Sequence, residues 1–367
     1  MDNPVEVPFF SLETQNALLK DEVLQAIGEI IDQADFVLGT SLGKFEKSFA
    51  SYCSSNHCVG VSNGTAALYL ALKALKITTG DEVIVPGATF SATAQAVSQL
   101  GAIPVFAEID KDTWTIDAED VQRKIGKRTK AIIVVHLYGN PCDLDEIKRV
   151  TKGLDIAIIE DAAQAHGALY KGEPVGGLSD VGCFSFYPSK NLGAMGDAGA
   201  VVFNGELLEA IRALRNCGKN NQGEHTFMGF NYRMSTMQAA VLNIKLPHLP
   251  LWNKKRQAIA EYYKSQTTNE KITFQEIKEN CESVYHLIVV KPDSREKFVA
   301  HLKNHHIGYS FHYATPVHLL PIYASLDLKK GALPVTEDLF DRCVSLPVFP
   351  DMTTQQMNRV VEVLNAY

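Results

Sequence analysis

The stretch Phe184–Gly199, FSFYPSKNLGAMGDAG, carries one lysine, Lys190, just past an apolar run. Pro188 stands two residues before it, and small residues and glycines follow. Alone, the stretch reads as a strand, a turn and a surface charge. Its meaning depends on what stands at the ends of the other apolar runs. These are EVIVP (82–86), IPVFAEI (103–109), AIIVVHL (131–137), IAIIE (156–160), VGCFSF (181–186) and GAVVF (199–203). They are short, continuous and β-branched, and helical or turn segments separate several of them. Such runs predict strands buried on both faces, as in a mostly parallel α/β sheet. TAALYLALKAL (65–75) places Leu68, Ala71, Leu72 and Leu75 at the i, i+3, i+4, i+7 spacing of a buried helix face.

After about residue 245 the pattern changes. PLWNKKRQAIAEYYKSQ (250–266) predicts a long charged helix, SVYHLIVVK (283–291) a strand and REKFVAHLKNHH (295–306) a helix. In TTQQMNRVVEVLNAY (353–367), Thr353 and Gln356 form a capping-box pattern ahead of a face of Met357, Val360, Val361 and Leu364. The expected organisation is a large α/β domain over 1–247 and a smaller C-terminal α+β domain over 248–367.

The chain has 367 residues, 46% of them hydrophobic, and a formal net charge of −7. That length sustains a large core. No basic block could neutralise a phosphate backbone, so a nucleic-acid partner is not expected. The seven cysteines are scattered, with no C-x-x-C pair, which argues against a zinc site or disulfide framework and fits a reducing cytoplasm. The acidic start, MDNPVEVPFFSLETQ, lacks the long apolar core of a signal peptide. No stretch approaches the ~18 apolar residues of a membrane span. His305 and His306 have no acidic or cysteine ligand at suitable spacing, so no metal site is expected.

In open α/β sheets, ligands sit beyond the carboxyl ends of the strands. IAIIE is followed by Asp161, EVIVP by GATF with Phe90, and VGCFSF by YPSKN with Lys190; NGT (63–65) precedes the first buried helix. Each has an ordinary structural reading: a helix cap for Asp161, a turn for NGT, core for Phe90, a surface charge for Lys190. Together, in this order, they match what pyridoxal phosphate (PLP) requires. A lysine forms a Schiff base with the cofactor aldehyde, and a carboxylate keeps the pyridine nitrogen protonated. Backbone N–H groups at a helix N-terminus hold the phosphate, and a flat apolar group stacks on the ring. Lys190, Asp161, Gly64–Thr65 and Phe90 are the candidates for these four roles.

Eight segments in order carry a resemblance over nearly the whole chain. They are FVLGTSLGKFEKSFASYC (36–53), SNGTAALYLAL (62–72), GDEVIVPGATFSATAQAV (80–97), IIEDAAQAHGALYKG (158–172), FSFYPSKNLGAMGDAGAVV (184–202), GFNYRMSTMQAAVL (229–242), HYATPVH (312–318) and SLPVFPDMT (345–353). The chain resembles the DegT/DnrJ/EryC1/StrS family of sugar aminotransferases. The resemblance implies a fold-type I, aspartate aminotransferase-like PLP enzyme and a homodimer with shared active sites. It makes Lys190 the Schiff-base lysine that also shuttles a proton between Cα and C4′. It pairs Asp161 with the pyridinium nitrogen, places Gln164 on the ring hydroxyl, stacks Phe90 on the ring and puts Gly64, Thr65 and Ser185 on the phosphate. Asn231 would reach the phosphate of the neighbouring subunit's cofactor. His318 and Arg233 are candidate substrate contacts, each with a structural role as the alternative, and His166 is expected as a structural partner near the cofactor.

The implied reaction moves an amino group from glutamate, through pyridoxamine phosphate, to a nucleotide-linked keto-sugar, leaving 2-oxoglutarate. Relatives with histidine at the lysine position act as dehydratases, and Lys190 argues against that chemistry. Ala66, where the family often has Asp, and Tyr187, where many relatives have His, are mild departures. MQAAVLNIKLPHLPLWNKKR (237–256) is closer to relatives acting on 3-keto sugars, whereas GFNYRM also occurs among those acting on 4-keto sugars. The reading favoured is a dTDP-linked 3-keto-6-deoxyhexose, with UDP- or GDP-linked 4-keto sugars as the alternative. RNCGKNNQGEHTFM (215–228) is the candidate loop for choosing the nucleotide.

Overall fold

In a computed structural model, residues 6–367 are described; Met1–Val5, where the expected large domain and the stretch read for a signal peptide begin, lie outside them. The six apolar runs form strands, and one more precedes them. β1 is His57–Val61, β2 Glu82–Pro86, β3 Ile103–Ala107, β4 Thr129–Val135, β5 Ala157–Asp161, β6 Val181–Ser185 and β7 Gly199–Phe203. They make one seven-stranded sheet in the order β1-β7-β6-β5-β4-β2-β3. β7 runs antiparallel to both of its neighbours, β1 and β6, and the remaining pairs are parallel. Six strands therefore point the same way, and their carboxyl ends share one edge of the sheet.

The helices in chain order are α1 (Glu13–Gln33), α2 (Thr40–Tyr52), α3 (Gly64–Ala74), α4 (Ala92–Ser98), α5 (Ala118–Lys124), α6 (Leu144–Thr151), α7 (Leu208–Arg215), α8 (Thr236–Lys245), α9 (Leu249–Gln266), α10 (Arg295–Asn304), α11 (Pro334–Arg342) and α12 (Thr354–Asn365). Alternate side chains of each strand enter different cores. Ile84, Ile132 and Val134 pack with Phe45 and Phe49 of α2 and Ile147 of α6. Val83, Val85, Ala131 and Ile133 pack with Leu68, Leu70 and Leu72 of α3 and with α4 and α7. Both faces are covered, which is why the strands read as unbroken apolar runs and not as alternating ones. Each fully buried leucine of α3 contributes about 2 kcal/mol by leaving water.

A second, antiparallel sheet consists of β8 (Ile272–Phe274), β9 (Ile288–Pro292) and β10 (Val344–Leu346), in that order. Only the second half of SVYHLIVVK is strand; residues 283–287 are irregular. α12 starts at the Thr353–Gln356 capping box, with both reciprocal hydrogen bonds made. The core on this sheet includes Ile259 and Tyr263 of α9 and also Val7, which forms a parallel bridge with Ile307. The N-terminal segment at Val7 thus packs with the C-terminal sheet. Within α9, Leu249 belongs to the core of the large sheet and Ile259 to the second, so the chain crosses between cores along that helix.

Candidate active site

The shared carboxyl edge opens into a cavity of about 460 Å³. Asp161 is the last residue of β5 and Ser185 the last of β6, while Asn63–Gly64 lead from β1 into α3. Gly64, Thr65, Phe90, Asp161, Gln164, Ser185 and Lys190 all line it. Three of the residues expected to act do not. His318 is fully buried away from the cavity, with Nε2 3.1 Å from Glu337 Oε1. Glu337 also accepts from the N–H groups of Gly331 and Leu333, so His318 serves the fold of residues 331–337 in this chain. Arg233 donates to Asn216 Oδ1 at 2.8 Å, and Asn231 is exposed on the surface next to it.

One end of the cavity is a helix N-terminus. The Asn63 side chain accepts from Ala66 N–H at 2.8 Å and caps α3. The N–H groups of Gly64 and Thr65 find no acceptor among the described residues, leaving two donors and the positive end of the helix dipole for an anion. A Cβ on Gly64 would lie 2.7 Å from Ser185 Cβ, so only glycine lets the serine hydroxyl close this cradle. His166 Nε2 donates to the Ser185 carbonyl at 2.9 Å and fixes the strand end; burial lowers this imidazole to about 3, so it is neutral.

The opposite end carries charge. Burial pushes the Asp161 carboxyl up, and the Thr93 hydroxyl, the Ala163 N–H and the Lys190 ammonium pull it back. Burial brings Lys190 down from 10.5 to about 8, against the attraction of Asp161. At neutral pH this raises the free-base fraction of the amine by roughly two orders of magnitude. The lysine loop is held from three sides. Asn191 Nδ2 donates to Asn253 Oδ1 at 2.9 Å and to the Val284 carbonyl at 3.0 Å. Lys245 Nζ, buried, donates to the Gly193 carbonyl at 2.8 Å.

Gln164 spans the cavity floor. Its Oε1 accepts from Tyr138 N–H at 2.6 Å and its Nε2 donates to the Tyr313 hydroxyl at 2.9 Å. Tyr138 takes a positive φ of 63° to present that N–H. Phe90 lies on the rim, 54% exposed, with its ring centroid 5.5 Å from that of Tyr313. Its exposure leaves a flat apolar face available to a planar ligand.

Several lining residues were not anticipated. Thr89 and Thr93 lie in the GATFSAT segment read only for its phenylalanine; asking what a buried Asp161 needs would have found them. His286, His312 and Tyr313 come from the C-terminal part of the chain. Burial and the nearby Lys190 lower both histidines, His312 to about 4. No local pattern links them to Lys190.

The residues fit pyridoxal phosphate: an anion cradle at α3, a buried carboxylate, an amine with a depressed pKa and an open aromatic face, all in one cavity. Comparison with known proteins agrees. The model of the DegT/DnrJ/EryC1/StrS aminotransferase family matches residues 18–365. A dTDP-3-amino-3,6-dideoxy-alpha-D-galactopyranose transaminase of Aneurinibacillus thermoaerophilus is 41% identical over 362 residues, 98% of this chain and 99% of that protein. A UDP-N-acetyl-3-dehydro-alpha-D-glucosamine 3-aminotransferase of Acidithiobacillus ferrooxidans is 38% identical over 365 residues, 99% and 98% of the two chains. The crystal structure of Streptomyces venezuelae DesV in complex with a ketimine intermediate superposes with a TM-score of 0.96 at 41% identity, covering 99% of this chain and 98% of that one. The chain belongs to the DegT/DnrJ/EryC1/StrS family and is a PLP-dependent sugar aminotransferase.

Proposed function

We propose that the enzyme transfers the amino group of glutamate to C-3 of a dTDP-linked 3-keto-6-deoxyhexose. The observation that carries the position is the naming of the relatives: their nucleotides differ, dTDP in one and UDP in another, but both names place the nitrogen at C-3. The dTDP choice follows the 6-deoxy sugar named for the relative with 41% identity. A UDP-linked 3-keto sugar is the second reading, on the 38% relative.

PLP bound here supplies an aldehyde that carries the amino group and a ring that takes up electrons. The chain's residues do the rest. The α3 N-terminus, Thr65 and Ser185 anchor the phosphate. Asp161 holds the ring nitrogen protonated, and Gln164 faces the ring hydroxyl. Lys190 Nζ, its pKa lowered by burial, takes and returns a proton at the carbon that bears the nitrogen. One cavity must admit both glutamate and the sugar nucleotide in turn.

The working unit in this proposal is a homodimer, with the partner's Asn231 completing the phosphate site. Asn231 is exposed, and the loop before it exposes Phe227 at 45% and Met228 at 88%, an apolar surface that a second copy would cover. Cytoplasmic location is also part of the proposal, supported by seven unpaired cysteines, six of them buried.

The test is to supply holoenzyme and glutamate with dTDP- and UDP-linked 3-keto sugars and with dTDP- and GDP-linked 4-keto sugars, following 2-oxoglutarate. Turnover with the dTDP-linked 3-keto sugar, and an aminated product of matching mass, is expected. Preference for a 4-keto sugar would overturn the C-3 assignment, and no 2-oxoglutarate with any of them would overturn the reaction.

A further inference from the structure

Asp161 ends β5 between Val135 of β4 and Cys183 of β6, neither of which offers its carboxylate a hydrogen bond. The side-chain partners come from the β2–α4 segment. Thr89 lies in the turn after β2, and Thr93 lies four residues on, in α4. Both are buried, 2% and 1% exposed. Thr93 Oγ1 lies 2.8 Å from Asp161 Oδ2 and 2.8 Å from Thr89 Oγ1.

The direction of these bonds follows from counting protons. An ionised carboxylate only accepts, and a hydroxyl has one proton to give. Thr93 therefore donates to Asp161, can only accept from Thr89, and the Thr89 proton points along the same line. Each bond polarises the next and strengthens it. The other carboxylate oxygen, Oδ1, receives only the Ala163 N–H, at 3.2 Å. That oxygen keeps capacity for a further donor in the cavity.

We propose that Thr93, backed by Thr89, is a positioning residue for the cofactor ring: the aligned hydroxyl pair fixes the plane of the Asp161 carboxylate and keeps it ionised, so that it binds a protonated ring nitrogen. The inference rests on the assignment of Asp161 to that nitrogen and is independent of which sugar is aminated. The charged and titratable groups that face Asp161 are Lys190, His136, Tyr313 and Cys183, with Glu160 adjacent in the chain. Burial raises the Asp161 carboxyl, and the Thr93 hydroxyl is first among the groups that oppose this, ahead of the Ala163 N–H and the Lys190 ammonium.

The experiment compares holoenzyme with Thr93→Val, Thr93→Ser and Thr89→Val. Cofactor retention is read from the visible absorbance of bound PLP after dilution, across a pH series, alongside melting temperature. A hydrogen bond to a charged group sets the scale. Thr93→Val should weaken PLP binding roughly 10- to 100-fold and move the acid limb of cofactor retention to higher pH. Thr93→Ser should restore both. Thr89→Val should shift them the same way by a smaller factor, and it decides the matter should Thr93→Val fail to fold. A Thr93→Val protein that melts lower but keeps the parent's PLP affinity and acid limb overturns the proposal, as does a Thr89→Val protein with neither shift. A parent protein that takes up no PLP would instead overturn the cofactor assignment itself.

Discussion

Replacing Lys190 by methionine should make the cofactor-free protein more stable while abolishing its activity. Methionine keeps most of the side-chain volume and removes the charge. Burial brings the lysine from 10.5 to about 8, a value that already includes the attraction of Asp161. That fall corresponds to on the order of 3 kcal/mol of penalty carried by the protonated amine in the native state. The penalty is fully present below pH 8. Between about pH 8 and 10.5 the unfolded chain binds a proton that the native chain has released, so the parent gains stability as pH rises through that window. The advantage of Lys190→Met should therefore be greatest at pH 7 and fade by pH 10.5. For a chain of this length the unfolding entropy is ~0.8 kcal/mol/K, so the melting temperature of the apo variant should rise by about 4 °C at pH 7. Differential scanning calorimetry of both proteins, each freed of PLP, measures this without the stabilisation that bound cofactor gives the parent. An apo variant that melts no higher than the parent at pH 7, or whose gain persists unchanged at pH 10.5, would refute the reasoning.

Gly64→Ala should push Ser185 out of the phosphate cradle and raise the dissociation constant for PLP roughly tenfold or more, measured by absorbance titration of the apo protein, with a smaller loss of melting temperature. His318→Ala should lower stability by about 1–3 kcal/mol through the lost bond to Glu337 and the space left by the buried ring, and leave KM for glutamate and sugar unchanged; a raised KM with unchanged stability would return His318 to the substrate site. Asn253→Leu removes partners from both Asn191 and the His166 carbonyl and should cost about 2–4 kcal/mol, read by urea unfolding, with kcat falling as the lysine loop loosens. Mixing Lys190→Ala with Asn231→Ala subunits should regenerate activity if the site is shared, because hybrids contain one intact site; no recovery after confirmed subunit exchange would count against the partner's Asn231.

The large sheet was legible because burial on both faces leaves a simple mark: six β-branched runs, each a strand. The edge that carries the chemistry was legible for the same reason, since Asp161 and Ser185 end their strands and Lys190 lies in the loop after the latter. What the sequence hid is non-local. Val7 belongs to the C-terminal core although 265 residues separate it from β8 (272 − 7), and no periodicity records that pairing. His286 and His312 reach Lys190 only because C-terminal segments outside the strands of the second sheet line the same cavity. His318 shows the converse: a family motif marked the segment, but a neighbouring acid, Glu337, decides where its imidazole points.

Departures from locally comfortable structure gather around one site. Lys190 is an amine held against burial, Asp161 a carboxylate held against burial, and Tyr138 a non-glycine residue at positive φ. A site can keep such costs only if the surroundings over-determine it. Here Asn191 ties the lysine loop to α9 and to Val284, and Lys245 ties it to α8, with a Cβ at Gly193 excluded by the Pro188 carbonyl 2.2 Å away. None of these ties touches the Lys190 side chain. They anchor the loop just after Lys190, which holds that residue at the lining of the cavity. The same bonds that stabilise the fold thus keep the amine where burial lowers it to about 8, which enlarges the free-base fraction its chemistry requires.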